Sequence, residues 1–158
     1  MSTRSIEGKE GESAYAAFVG SHERPLRQAF TSVYGPDLGV EATAEALAWA
    51  WEHWDEVETL SNPAGYLFRV GQTRTRRLRR SSPLFPPVPA PELPWIEPGL
   101  PAALARLSKP QRVAVLLVHG HDWSHGAVAS LLDIAPSTVA THVHRGLHRL
   151  RELLEPNR

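Results

Sequence analysis

Residues 136–154, PSTVATHVHRGLHRLRELL, place Val139, Val143, Leu147, Leu150 and Leu154 at steps of three and four. An α-helix gathers those five side chains into one stripe, and no extended strand does. A shorter apolar set, Val128, Leu131 and Leu132, lies just upstream, separated from the long helix by Asp133-Ile134-Ala135. Pro136 suits the first position of the second helix, where its missing N–H would have no partner in any case. The pattern is therefore a short helix, a tight turn and a longer helix. The face opposite the stripe carries Ser137, Thr138, Thr141, His142, Arg145 and Arg149. A helix-turn-helix presents such a face to the major groove of DNA.

A second feature divides the chain. Residues 81–101, SSPLFPPVPAPELPWIEPGLP, contain eight prolines. Such a stretch cannot form a regular helix and is expected to act as an extended linker. It leaves a block at 13–80 and another at 102–155, each small enough for its own core to be marginal. In the first block, Tyr15, Phe18 and Val19, then Leu26, Phe30 and Val33, predict a helix that Pro25 kinks or restarts. Tyr34-Gly35-Pro36-Asp37 predicts a turn. A second helix is expected from about Val40 to Val57, with Ala44, Leu47, Ala48, Trp51 and Trp54 facing inward. Asn62 caps a third, with Pro63 first and Tyr66, Leu67 and Val70 inward. The second block predicts four helices. The expected fold is all-α: two small helical domains joined by a proline-rich linker, the C-terminal one a helix-turn-helix.

The net charge is zero, but its distribution is uneven. Residues 1–68 hold four Lys/Arg and eleven Asp/Glu, residues 69–80 hold six arginines and no acid, and residues 100–158 hold seven Lys/Arg and four acids. An acidic face for a protein and a basic stripe for phosphate imply two different partners. The chain has no cysteine, so disulfides and thiolate metal sites are excluded and a reducing cytoplasm suits it. There is no membrane-length apolar run and no signal-peptide core. No phosphate-binding loop, nucleophile elbow or zinc-protease motif points to an enzyme, and no cofactor is implied.

Three stretches, in this order, carry a resemblance over nearly the whole chain. EATAEALAWAWEHWD (41–55), NPAGYLFRVGQTRTRRLRR (62–80) and LARLSKPQRVAVLLV (104–118), the last followed by the helix-turn-helix, resemble the extracytoplasmic-function sigma factors of bacterial RNA polymerase. The resemblance implies a protein that binds core RNA polymerase and directs promoter-specific initiation. The first stretch would dock on the polymerase through Glu41 and Glu45, with Trp49 as an apolar anchor. The second would meet the minus-ten element through Arg69, Thr73, Arg74, Arg76, Arg77 and Arg80. The third would read the upstream, minus-thirty-five element through Ser137, Thr138, Thr141, His142 and Arg145, with Arg112 beside them. Promoter DNA, core polymerase and an anti-sigma protein are the implied partners.

The chain departs from the family pattern at several positions. Thr73 and Arg77 stand where the third helix usually has asparagine and aspartate, Ala140 and His142 where the reader usually has lysine and arginine. Asp133 replaces the turn glycine, and Ala44 a glutamine. The Thr73/Arg77 change leaves open a second reading, a sigma-derived helix-turn-helix regulator that does not open promoters. Six of the eight histidines lie at 119–148, in two triplets (His119, His121, His125; His142, His144, His148). The expectation for both triplets is polar surface and not a metal site. Histidine titrates near neutrality, which would make affinity for DNA pH-sensitive.

Overall fold

The computed structural model describes residues 3–76 and 97–155 of the 158. Among them every regular element is helical. Helices α1 (Thr3–Tyr34), α2 (Pro36–Glu52), α3 (Trp54–Val57) and α4 (Pro63–Thr75) form the N-terminal half. The C-terminal half has α5 (Leu100–Ala105), α6 (Lys109–Val115), α7 (His125–Leu132) and α8 (Pro136–Leu154). One wider, π-helical turn extends α6 over Leu116–Gly120. Most of the expected linker and the end of the arginine stripe lie outside the described residues. Its last residues are helical, since α5 begins at Leu100.

Two expectations for the N-terminal half are corrected. Helix α1 starts well before residue 13 and runs through Pro25 as one element. The proline removes a single main-chain hydrogen bond. The next turn, Leu26, Ala29 and Phe30, is wholly buried and holds the helix in line. The expected helix from Val40 to Val57 is two, broken at His53, whose N–H and ring Nδ1 both bond the Trp49 carbonyl.

The inward face of α2 also differs from the expected one. Ala44 and Ala48 are exposed and Trp51 is 47% exposed, while Gly39, Ala42, Thr43, Ala46 and Ala50 are buried. The reason is proximity. A Cβ at Gly39 would stand 2.5 Å from the Cα of Thr31, so α1 and α2 touch backbone to backbone, and only small residues fit between them. The large rings move to the flank. There Trp51 and Trp54 lean on Tyr15, with centroids 4.9 and 5.5 Å away, and the Tyr15 hydroxyl donates to the Leu47 carbonyl at 2.8 Å.

One buried cluster takes side chains from both halves: Leu26, Phe30, Leu67 and Phe68 from the first, Val113, Leu117, Val128, Leu131 and Val139 from the second. Helices α1 and α4 pack on α6 and α7. Two cores that would each be marginal are thereby merged. Burying a leucine- or phenylalanine-sized side chain contributes about 1.5–3 kcal/mol, so this junction is a large part of the stability. A smaller cluster, Ala103, Leu104, Leu107, Val115 and Leu150, seats α5 and α8 on α6.

Candidate nucleic-acid interface

The helix-turn-helix forms as its sequence requires. The Ser124 hydroxyl caps α7 by accepting from Ala127 N at 3.0 Å. Asp133 ends it in the left-handed conformation, φ 56° and ψ 49°. Aspartate tolerates that region better than most non-glycine residues, which is how the turn forms without a glycine. Val139, Val143 and Leu150 are buried, and Gly146 lets α8 approach Val115 of α6.

The outward face of α8 presents Ser137, Thr138, Thr141 and Arg145, all exposed. The Thr141 hydroxyl donates to the Ser137 carbonyl at 3.1 Å, so it offers a neighbour its lone pairs rather than its proton. Farther along, Arg149 and His148 both lie against Glu152, at 3.1 and 3.7 Å. Arg145 has no ion pair among the described residues, and it is the cation of this face best placed for an incoming phosphate or base.

His142 is not on that face. It sits three residues after the buried Val139, at the edge of the stripe, and is half-buried. It lines a cleft of about 250 Å³ with Phe68, Arg69 and Gln72 of α4 and with Lys109 at the start of α6. The expected minus-ten and upstream helices therefore share one cleft. Arg112 departs further from expectation. It is 6% exposed, and its guanidinium donates to three main-chain carbonyls: Ser32 (3.2 Å), Val33 (3.2 Å) and Leu107 (3.3 Å). Burial lowers its pKa from the ordinary arginine value, but a guanidinium stays charged in a protein. In this conformation Arg112 cannot reach DNA.

Helix α4 is held at both ends. Asn62 Oδ1 accepts from Gly65 N at 3.1 Å, the expected cap, while its Nδ2 donates to the Ser130 carbonyl of α7 at 2.8 Å. A Cβ at Gly71 would stand 2.2 Å from Phe30 Cζ, so the glycine lets α4 sit directly on that ring. Arg69, Thr73, Arg74 and Arg76 are exposed; Arg77 and Arg80 lie outside the described residues. The Thr73 hydroxyl donates to the Arg69 carbonyl at 3.1 Å. Arg74 pairs with Glu45 at 3.2 Å, joining one expected DNA contact to one expected polymerase contact. Glu41 is exposed. Trp49 is half-buried, stacked on His53 at 4.0 Å and tilted against Tyr66 at 5.6 Å. Trp51 is the more open of the two.

Several participants were not anticipated from sequence: Lys109 and Gln72 in the shared cleft, Asn62 as a tie between halves, and the Trp123–Gln28 hydrogen bond of 2.8 Å. Asn62 and Ser130 are 68 positions apart, Trp123 and Gln28 are 95 apart, and no local pattern links either pair. Among the described residues no three metal-ligating side chains converge, the histidine triplets included. None of the described helices is long and apolar enough to cross a membrane.

Comparison with known proteins places this geometry. Residues 99–150 match the family model "Sigma-70, region 4". No curated protein matches the chain. Among solved structures it is similar to the sigma factor RpoE of Bartonella quintana, in complex with the anti-sigma factor NepR. The TM-score is 0.62 and the identity 24%, over 92% of this chain and 99% of that one. At that identity the likeness establishes the fold, and the family match establishes the helix-turn-helix as region 4. Residues 99–150 are thus similar to sigma-70 region 4, and the chain as a whole shares the fold of that sigma factor.

Proposed function

We propose that the chain is a sigma factor of the extracytoplasmic-function type that directs transcription initiation, and that it works through three surfaces, by binding alone and without catalysing a reaction. Residues 13–80 would form a region-2-like domain, 81–101 the linker and 102–155 the region-4-like domain. The outward row of α8, with Arg145 at its centre, reads the upstream element. Arg69, Thr73 and Arg74 on α4 and Arg76 just beyond it, continued in sequence by Arg77 and Arg80, track the minus-ten strand. Glu41, Glu45 and Trp49 meet core polymerase. The carrying observation is that Ser137, Thr138, Thr141 and Arg145 stand exposed together on the second helix of a region 4 helix-turn-helix. The cytoplasm, where polymerase and promoter reside, is the matching location. The likeness in fold to a sigma factor solved with its anti-sigma protein supports a protein inhibitor here as well.

Run-off transcription with purified core enzyme tests the reading. The protein should direct transcripts from a cognate promoter. Glu41→Lys with Glu45→Lys should weaken capture of core enzyme, and unchanged capture removes that face from the assignment. Ala140→Lys, which adds a cation to the open face of α8, should tighten upstream binding.

A second reading, a regulator that binds promoters without opening them, is favoured by one observation. At position 73 the hydroxyl is engaged by its own helix. Permanganate footprinting separates the two readings. Reactive thymines near the start site support initiation, and a footprint without them supports the regulator.

A further inference from the structure

The cleft between α4, α6 and the helix-turn-helix joins two kinds of surface. Its volume is about 250 Å³. Phe68 and Leu131 are buried in its wall, and Leu132 and Ile134 are half-buried there. Two exposed cations, Arg69 of α4 and Lys109 at the start of α6, line the same space, as does the half-buried ring of His142. No carboxylate is among the lining residues.

An apolar wall with a cationic edge is complementary to a small anion that carries an apolar body. An inorganic anion would leave the wall wet, and an uncharged hydrocarbon would strip water from the cations without replacing it. A carboxylate meets a guanidinium through two parallel hydrogen bonds, which fixes its orientation as well as its charge. The volume lies just below the roughly 300–1,000 Å³ of pockets for drug-sized molecules, which limits the body to one or two rings or a short acyl chain. Arg69 also lines a second cleft, of about 360 Å³, with Trp49, Tyr66, Thr73 and Arg74. Arg74 is already paired with Glu45, so Arg69 is the cation of that second cleft with no ion pair among the described residues. One arginine therefore borders both spaces.

We infer that the first cleft binds a small amphipathic carboxylate, its apolar body against Leu131, Leu132 and Ile134 and its carboxylate against Arg69 and Lys109. The bound molecule holds Arg69 on its own side and withdraws it from the second cleft, so that occupation weakens contact with single-stranded minus-ten DNA. This last consequence rests on the minus-ten role proposed for α4; the binding itself does not.

Amide NMR of the full chain, titrated with 2-naphthoate, tests the site. Shifts should saturate in the low-millimolar range or below, as expected for so small a ligand, and should concentrate at residues 68–72, 109–113, 131–134 and 142. The alcohol 2-naphthalenemethanol, with the same rings and no charge, should bind about tenfold more weakly, and acetate should give no saturable shift. Lys109→Gln and Arg69→Gln, both at exposed positions, should each weaken 2-naphthoate severalfold. Shifts that do not saturate, equal binding of acid and alcohol, or parental binding by both variants overturns the site. In a second arm, saturating 2-naphthoate should weaken binding of single-stranded minus-ten DNA to the parent, against acetate at the same concentration, and should leave the residual binding of Arg69→Gln unchanged. DNA binding by the parent that ignores 2-naphthoate overturns the withdrawal of Arg69. A parent that binds no such DNA in either buffer overturns the minus-ten role of α4 instead, and the NMR titration, which needs no DNA, still decides the site.

Discussion

Helices α4 and α8 are both expected DNA readers, yet they are built into the molecule in opposite ways. Helix α8 lies at an edge. One stripe is buried, the rest faces solvent, and Arg145 on that open side has no ion pair among the described residues. Helix α4 is wedged between α1, α2 and α7, seated through Gly65 and Gly71, and one of its arginines is tied to Glu45. The contrast teaches that a cationic helix face in a sequence is a statement about charge, not about availability. An edge helix offers its polar face directly. A wedged one offers only what its neighbours leave over.

The sharpest way to break this comparison is a branched side chain on each helix. Gly71→Val should destabilise the protein by about 3 kcal/mol or more, because a Cβ there meets the Phe30 ring. Ala140→Val, on the open face of α8, should stay within about 0.5 kcal/mol. Urea unfolding measures both, and similar values for the two would mean that α4 is not wedged. The next effect is on binding. Arg145→Ala should weaken an upstream-element duplex by about 1–3 kcal/mol, read by fluorescence anisotropy at fixed salt. Parental affinity would remove α8 as the reader.

Smaller effects sharpen the picture. Asn62→Ala should lower stability by about 1 kcal/mol through loss of the α4 cap. Glu45→Gln should change stability by less than about 1 kcal/mol, since the pair with Arg74 is exposed, yet should strengthen α4 binding to single-stranded minus-ten DNA by freeing that arginine. Unchanged DNA binding would mean that the pair does not restrain Arg74. The smallest is a pH effect. Burial chiefly, with Arg24 nearby, lowers the His121 pKa below 6.5, opposed by Asp122. Between that lowered value and 6.5 the unfolded chain binds more proton than the folded one, so stability should fall as pH drops through this window. Urea midpoints from pH 7 to 5 should lose part of that slope in His121→Gln, and an identical slope would rule the residue out.

The sequence made much of this fold legible, and for definite reasons. The α8 stripe, Pro136, the Asp133 turn and the Asn62 cap are local devices whose physics lies within a few residues. The α2 interior was misread because hydrophobicity marks the large residues. A backbone-to-backbone crossing selects small ones, and so Ala42, Ala46 and Ala50 went in while Trp51 stayed out. At the candidate site, the exposure of Ser137, Thr138, Thr141 and Arg145 followed from the helical period. The burial of Arg112 did not, because two of its three acceptors lie 79 and 80 residues away. Charge alone marks an arginine for phosphate, and only the tertiary fold reveals that a helix end can take the phosphate's place.

Asn62 holds two jobs on opposite ends of one amide. Its oxygen must receive a proton from Gly65, and its nitrogen must give one to Ser130. No other standard side chain of that length has this polarity. Aspartate would keep the receiving end, and with it the start of α4, but would set an oxygen against the Ser130 carbonyl. A single-atom exchange, nitrogen for oxygen, therefore separates the integrity of one helix from the cohesion of the two halves. Chemistry as slow and ordinary as the hydrolysis of that amide would convert a brace into a repulsive contact and leave the helix it caps intact.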